Sequence, residues 1–206
     1  ASNVNNVLTD FINTGVYDRN RKFYATVSPS MDILISSNLE RLLYLLTGRD
    51  DAVIRDWFGK LATEGRYEVS ADVKAKLQEE FCGGFCDDEQ TKATIHAIYE
   101  KYGYTCDTHT AVAVKVYNDY REATGDTTKT VIASTASPYK FSAAVLEALE
   151  GKASDIDEYA KVDRIAELSK LDIPAALADL KNKPERFNDV IDKADQKEYV
   201  LRTLGI

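Results

Sequence analysis

Apolar residues recur along this chain mostly at the three-to-four-residue spacing of amphipathic helices, with short β-branched or alternating runs between them. Ser2 and Asn3 offer N-caps for a stretch carrying Val4, Val7, Leu8, Phe11 and Ile12, which stops at Gly15. Lys22 to Ser28 and Met31 to Ser36 have the pattern of extended pieces broken at Pro29. Ser37 with Glu40 forms an S-x-x-E capping box, opening a helix whose apolar face is Leu39, Leu42, Leu43 and Leu46 and which ends at Gly48. Val53, Ile54, Trp57, Phe58 and Leu61 mark a second helix before Gly65, and Ser70 caps a third with Val73 and Leu77 on one face.

The pattern changes from residue 81. Phe81 to Cys86 is a short strand-like run, and Asp87 with Gln90 is another capping box. The helix it opens presents Ile95, Ile98, Tyr99 and Tyr102 and ends at Gly103. Asp107 or Thr108 caps the next, which ends near Gly125. Thr128 to Ser134 is alternating and β-branched, the signature of a strand. Ser137-Pro138 is an N-cap and N1 pair starting a helix that runs to Gly151. Strand, helix, helix, strand, helix is the rhythm of an α/β fold, helix-rich, with a small parallel sheet covered by helices. From Ser154 the chain is helical and charged, broken by Pro174 and Pro184. Residues 1–151 therefore form one part and 152–206 a charged helical tail.

Composition narrows the function classes. The 206 residues hold 26 Lys+Arg against 34 Asp+Glu, a formal charge of −8, with 44% apolar and 29% charged residues. That is a soluble globular composition. The acidic balance lacks the basic stripe that phosphate neutralisation requires, so no nucleic-acid partner is expected. The best apolar run, Leu39 to Leu46, is interrupted by Glu40 and Arg41 and is far shorter than the roughly 18 residues of a membrane span. No signal-peptide pattern opens the chain, so a cytoplasmic protein without a membrane partner is expected.

Two stretches could carry chemistry. Cys106-Asp107-Thr108-His109-Thr110-Ala111 is a polar cluster at a helix start, where capping is the preferred reading. Ser134-Thr135-Ala136-Ser137-Pro138 puts three hydroxyls where a strand turns into a helix. Ligands of open α/β sheets bind outside the carboxyl ends of strands, and a well-capped turn is the plainer alternative. The C-x-x-x-C pair Cys82 and Cys86 falls short of a zinc set, because Cys106, His96 and His109 are scattered without a metal-ligand spacing. Three reduced thiols and no metal are expected. The chain has no G-x-x-x-x-G-K-[ST], G-x-G-x-x-G or G-x-S-x-G.

Five blocks in order resemble threonine synthase, in its longer fungal and bacterial form. They are Ala1-Ser2-Asn3-x-Asn5-x-Val7-Leu8, Ser28-Pro29-Ser30-Met31-Asp32-Ile33, Ser36-Ser37-Asn38-Leu39-Glu40-Arg41, Asp107-x-His109-Thr110-Ala111-Val112-Ala113 and Ser134-Thr135-Ala136-Ser137-Pro138-x-Lys140-Phe141. Together they span Ala1 to about Phe141, and the tail resembles the family only in character.

The resemblance implies the C-terminal part of a fold-type II enzyme of threonine biosynthesis using pyridoxal 5′-phosphate (PLP), a lyase that converts O-phospho-L-homoserine and water to L-threonine and phosphate. Residues 1–151 would then belong to the PLP-binding large domain. It also implies that the Schiff-base lysine and the Gly-rich phosphate loop lie upstream of the Ala1-Ser2-Asn3 block, in a missing N-terminal half that would be this chain's partner. No catalytic residue is then expected here, Lys140 is not the Schiff-base lysine, and the chain alone should be inactive, should not bind PLP, and should self-associate or close its helices over the orphan sheet. One site residue carries over: Thr135, whose hydroxyl meets the pyridine nitrogen of PLP in the family. Ser137 stands where a histidine is common in relatives. Asp107 and His109 match a family block without an assigned role. Another fold-type II lyase or synthase, or a non-catalytic helical α/β interaction module, remain the alternatives.

Overall fold

The computed structural model describes residues 1–206 and divides into two compact units, Ala1–Asp172 and Ile173–Ile206. In the first unit, α1 (Val7–Thr14), β1 (Val16–Asp18), α2 (Ser37–Leu46), α3 (Asp51–Thr63), β2 (Arg66–Glu68) and α4 (Ala71–Glu80) enclose one apolar core. α1 ends as its sequence predicts, with Gly15 in the left-handed conformation. The turn lets the chain reverse into β1, which pairs antiparallel with β2 and sets Tyr17 opposite Tyr67. Those rings stack at 5.3 Å, Trp57 of α3 lies 6.1 Å from Tyr67, and Phe11 of α1 lies 5.9 Å from it. Val7, Leu43, Leu61 and Leu77 complete the interior.

Beyond residue 87 the unit is helical: α5 (Asp88–Tyr102), α6 (Thr108–Thr124), α7 (Ser142–Glu150) and α8 (Glu158–Ser169). α5 packs on α6 and α7, and α7 on α8, around Ile95, Val112, Val145, Leu146 and Ile165. The Asp87–Gln90 capping box forms in full, with the Gln90 amide donating to Asp87 Oδ1 at 2.8 Å and the Asp87 amide donating to Gln90 Oε1 at 3.1 Å. Lys92 on α5 pairs with Glu147 on α7 at 2.8 Å, and the His96 Nδ1 donates to the Ala148 carbonyl at 3.0 Å. The second unit contains α9 (Ala175–Ala178), α10 (Gln196–Leu204) and two short 3₁₀ turns, and none of its residues is buried.

The helix-rich character and the small sheet are as expected, but the expected parallel sheet is not formed. The one sheet is the antiparallel β1–β2 pair, and parallel pairing is limited to a bridge between Ser2 and Phe85. Thr128 to Ser134, expected as a strand, has no ladder partner. A strand is stabilised by its neighbours, and no other segment of this chain runs beside it. Lys22–Ser28 is likewise not paired into a sheet, and Pro29–Met31 is a 3₁₀ turn. At α2 the N-cap is Ser36 rather than Ser37, neither makes a capping bond, and the S-x-x-E box does not form. The Ser36 amide instead donates to the Tyr17 hydroxyl at 3.0 Å.

Candidate functional site

The site begins with two asparagines just before α1. Asn5 places its amide against Tyr24, donating Nδ2 to the Tyr24 carbonyl at 2.8 Å and accepting the Tyr24 N–H on Oδ1 at 2.9 Å. One side chain thus meets both backbone groups of an extended residue, as a neighbouring strand would. Asn3, buried, donates to Asp32 Oδ1 at 2.7 Å and to the Thr26 hydroxyl at 2.8 Å. Asp32 also accepts from the Thr26 amide at 3.0 Å and the Thr26 hydroxyl at 2.7 Å. Side chains here replace the missing ladder and hold the 24–32 loop against the start of α1.

That loop reaches α6 through one bond. The Ser30 amide donates to His109 Nε2 at 3.1 Å, so Nε2 is the acceptor nitrogen and the ring is in its Nδ1–H form. Phe141 covers the imidazole at a centroid distance of 4.7 Å. Asp107 is fully buried as the α6 N-cap and accepts from the His109 amide at 2.8 Å and the Thr110 amide at 3.2 Å. The Thr110 hydroxyl donates to the other Asp107 oxygen and lies 3.2 Å from Ser134 Oγ. The capping reading of Asp107 therefore holds, and the same carboxylate reaches on toward the Ser134 turn. Cys106, beside it, is buried, and burial reinforced by the Asp107 charge pushes its thiol up to about 12.

Thr135 follows Ser134. It is exposed, and its hydroxyl has no hydrogen-bond partner. Two residues on, Ser137 Oγ accepts the Tyr139 amide at 3.3 Å and starts the 3₁₀ turn Pro138–Phe141 that leads into α7. The adjacent hydroxyls are thus used differently: Ser134 on Thr110, Ser137 on the helix start, Thr135 on nothing. Lys140 is exposed, with Nζ 5.5 Å from the Phe141 ring centroid.

Gly83 and Gly84 serve packing. A Cβ on Gly83 would meet Thr9 Cα at 3.0 Å, and one on Gly84 would meet Val116 Cγ1 at 2.7 Å. The Gly84 carbonyl accepts from the Thr9 hydroxyl at 2.8 Å. Cys82 is exposed while Cys86 and Cys106 are buried, and Cys86 Sγ lies 3.2 Å from Thr91 Oγ1. No helix is long and apolar enough to cross a membrane.

Four segments far apart in sequence therefore meet in one continuous chain of contacts: Ser2–Asn5, Ser28–Asp32, Asp107–Thr110 and Ser134–Phe141. The Ser36–Arg41 segment stays outside it. The family model described as "Threonine synthase, C-terminal" matches residues 110–200. Threonine synthase of Methylobacillus glycogenes is 35% identical over 206 aligned positions, covering 98% of this chain and 39% of that protein. This chain is a homologue of the C-terminal region of threonine synthases.

A solved structure of PLP-bound threonine synthase from Brucella melitensis superposes with a TM-score of 0.79 at 33% identity, covering 98% of this chain and 39% of that one. Threonine synthase-like 1 of Homo sapiens is 41% identical over 153 residues, covering 74% of this chain and 20% of that protein. The chain thus spans between a fifth and two-fifths of the length of these relatives. In this threonine synthase homologue, sequence reasoning singled out Asp107, His109 and Thr135, took Asn3 for a helix N-cap, although the α1 N-cap is Asn6 and Asn3 bonds to Thr26 and Asp32 instead, and gave Asn5 and Asp32 no role. The signal of Asn3 and Asn5 was short polar side chains at an apolar helix start, which capping alone would also explain, and Asp32 just after the Pro29–Met31 turn carried no local signal.

Proposed function

We propose that this chain is part of a cytoplasmic threonine synthase, a lyase that converts O-phospho-L-homoserine and water to L-threonine and phosphate with PLP. Residues 1–151 are assigned to its PLP-binding large domain and 152–206 to the tail. The observation that carries the reading is the Thr135 hydroxyl, exposed and unpartnered beside a turn that is pinned on both sides. The residues present fit one edge of the cofactor. Thr135 suits its ring nitrogen, which needs a single hydrogen-bond partner. Gly83-Gly84 does not suit its phosphate, since both α-carbons are pressed against neighbouring side chains or backbone. Neither the Schiff-base lysine nor the phosphate loop is assigned to any residue of this chain.

Bound PLP supplies an electron sink for carbanion chemistry. Thr135 contributes a neutral hydroxyl at the ring nitrogen, where a carboxylate would instead hold that nitrogen protonated. Ser137 keeps the turn in place through its capping bond. The rest of the protein would also cover the exposed Tyr102, Tyr104 and Val131, and without that cover the isolated chain is expected to self-associate. Light scattering across a concentration series checks this, and a monomer at all concentrations counts against it.

The test measures phosphate release from O-phospho-L-homoserine, PLP affinity and thermal unfolding in the protein that carries this chain. Thr135→Val removes one hydrogen bond, a loss of about 0.5–1.5 kcal/mol in PLP binding, with lower turnover and little change in stability. Ser137→Ala should lose about 1 kcal/mol of stability with PLP affinity retained. Reversed effects would mean that the two hydroxyls have each other's role. Because threonine synthase-like 1 is also a close relative, absence of phosphate release with PLP still bound would favour a different fold-type II substrate.

A further inference from the structure

We propose that Asp107, acting through Thr110 and Ser134, positions the Thr135 hydroxyl for the cofactor ring nitrogen. This deepens the preceding reading of Thr135 and rests on it. Between Thr130 and Ser137 the chain has no ladder, and no backbone amide of that stretch is hydrogen-bonded. One side-chain hydrogen bond ties it to the helices: Ser134 Oγ lies 3.2 Å from Thr110 Oγ1. Half-buried Ile132 lines a groove with Val114 and Tyr117 of α6. Thr135, next in the chain to Ser134, is exposed with its hydroxyl unpartnered.

Proton counting sets the direction of that tie. A carboxylate can only accept, and the one hydroxyl proton of Thr110 is directed at Asp107 in a hydrogen bond. The Thr110 oxygen is then the acceptor, and Ser134 donates to it. A buried carboxylate at the end of such a relay strengthens each bond along it. Asp107 is itself fixed by the His109 and Thr110 amides of the first turn of α6, so the Ser134 rotamer is referred to a 17-residue helix packed on α5. Asp107, Thr110 and Ser134 are thus positioning residues, and Thr135 is the group they present.

The test compares Thr135→Val, Thr110→Val and Thr110→Ser. PLP affinity and visible absorbance maximum are read in the PLP-binding protein that carries the chain. The backbone ¹⁵N heteronuclear NOE of Ser134 and Thr135 is read in the 206-residue chain without cofactor. Thr110→Val is expected to weaken PLP binding roughly 2- to 10-fold, to move the absorbance in the same direction as Thr135→Val, and to lower both NOE values. Thr110→Ser, which keeps the hydroxyl, should return all three to wild type. Ser134→Ala, at an exposed position, breaks the same tie and is read against the same outcomes if Thr110→Val does not fold. Wild-type PLP affinity and absorbance in Thr110→Val, alongside altered values in Thr135→Val, overturn the proposal whatever the NOE does. Wild-type values in Thr135→Val itself overturn the placement of Thr135 at the ring nitrogen, and the relay's purpose with it.

Discussion

Asp32 and Asp107 sit on different segments and do the same kind of work, gathering donors that would otherwise be stranded between packed elements. Asp32 serves Asn3, Asn5 and both polar groups of Thr26, and Asp107 serves the first turn of α6 and Thr110. The cap at Asp107 was legible because a cap is a bond within three residues. Its extension to Ser134, 24 residues from Thr110, was not, since nothing local distinguishes a serine that reaches back from one that faces water. Cys106 shows how such a neighbour acts on a buried group. Unfolded, its thiol titrates near 8.5, while folded it is held up to about 12. Between those values the unfolded chain gives up a proton that the folded chain keeps, so the stability present below about pH 8.5 falls as pH rises toward 12. Denaturant midpoints at pH 7 and pH 10 should drop more for wild type than for Cys106→Ala. Cys86, also raised mainly by burial, keeps some slope of the same sign in the variant. Equal slopes in the two proteins would count against this account.

Helices were read well because their signals are local. Gly15, Gly103, Gly125 and Gly151 all take the left-handed conformation at helix ends, and Asp87 and Asp107 both cap as their spacing predicts. At α2 the cap was read at Ser37, but the N-cap is Ser36, and Tyr17, distant in sequence, claimed the Ser36 amide. Strands fared worse for the same physical reason. Thr128–Ser134 has the composition of a strand, but pairing needs a second segment that no local pattern can supply. Phe81–Cys86 found one residue's worth, with the Ser2 amide donating to the Gly84 carbonyl at 2.9 Å and the Cys86 amide to the Ser2 carbonyl at 3.0 Å. That contact requires Gly84 to lie close under α6. Gly84→Ala would push a methyl group to 2.7 Å from Val116 Cγ1, and the β-branched valine on a helix has little rotameric room to yield. Thermal or urea unfolding of Gly84→Ala should show a loss of about 1–3 kcal/mol, the usual cost of overpacking. An unchanged midpoint would mean that α6 moves away freely.

Over the whole chain, the charged composition after Ser154 conceals a change of character within it. α8 buries Val162 and Ile165 and holds α7, with Ser142 Oγ donating to Glu158 Oε2 at 2.6 Å, so it belongs to the first compact unit. Ile173–Ile206, in contrast, leaves Phe187, Val190 and Ile206 more than 80% exposed. A segment burying so little has little to set against its conformational entropy. Brief digestion with trypsin should therefore cut first within residues 173–206, leaving by mass spectrometry a core that ends at Lys181, the first tryptic site of that segment. Early cleavage inside α5 or α6 would contradict it. The stacked ring cluster around Tyr67 adds an optical property to this arrangement. Trp57 is the chain's one tryptophan, and it sits in that cluster, so indole emission is a natural gauge of the packing inside the first unit. Backbone circular dichroism sees the helices of both. Followed together through a melt, the two signals turn an unlabelled sample into a two-channel recorder, one channel reading a single ring cluster and the other every helix.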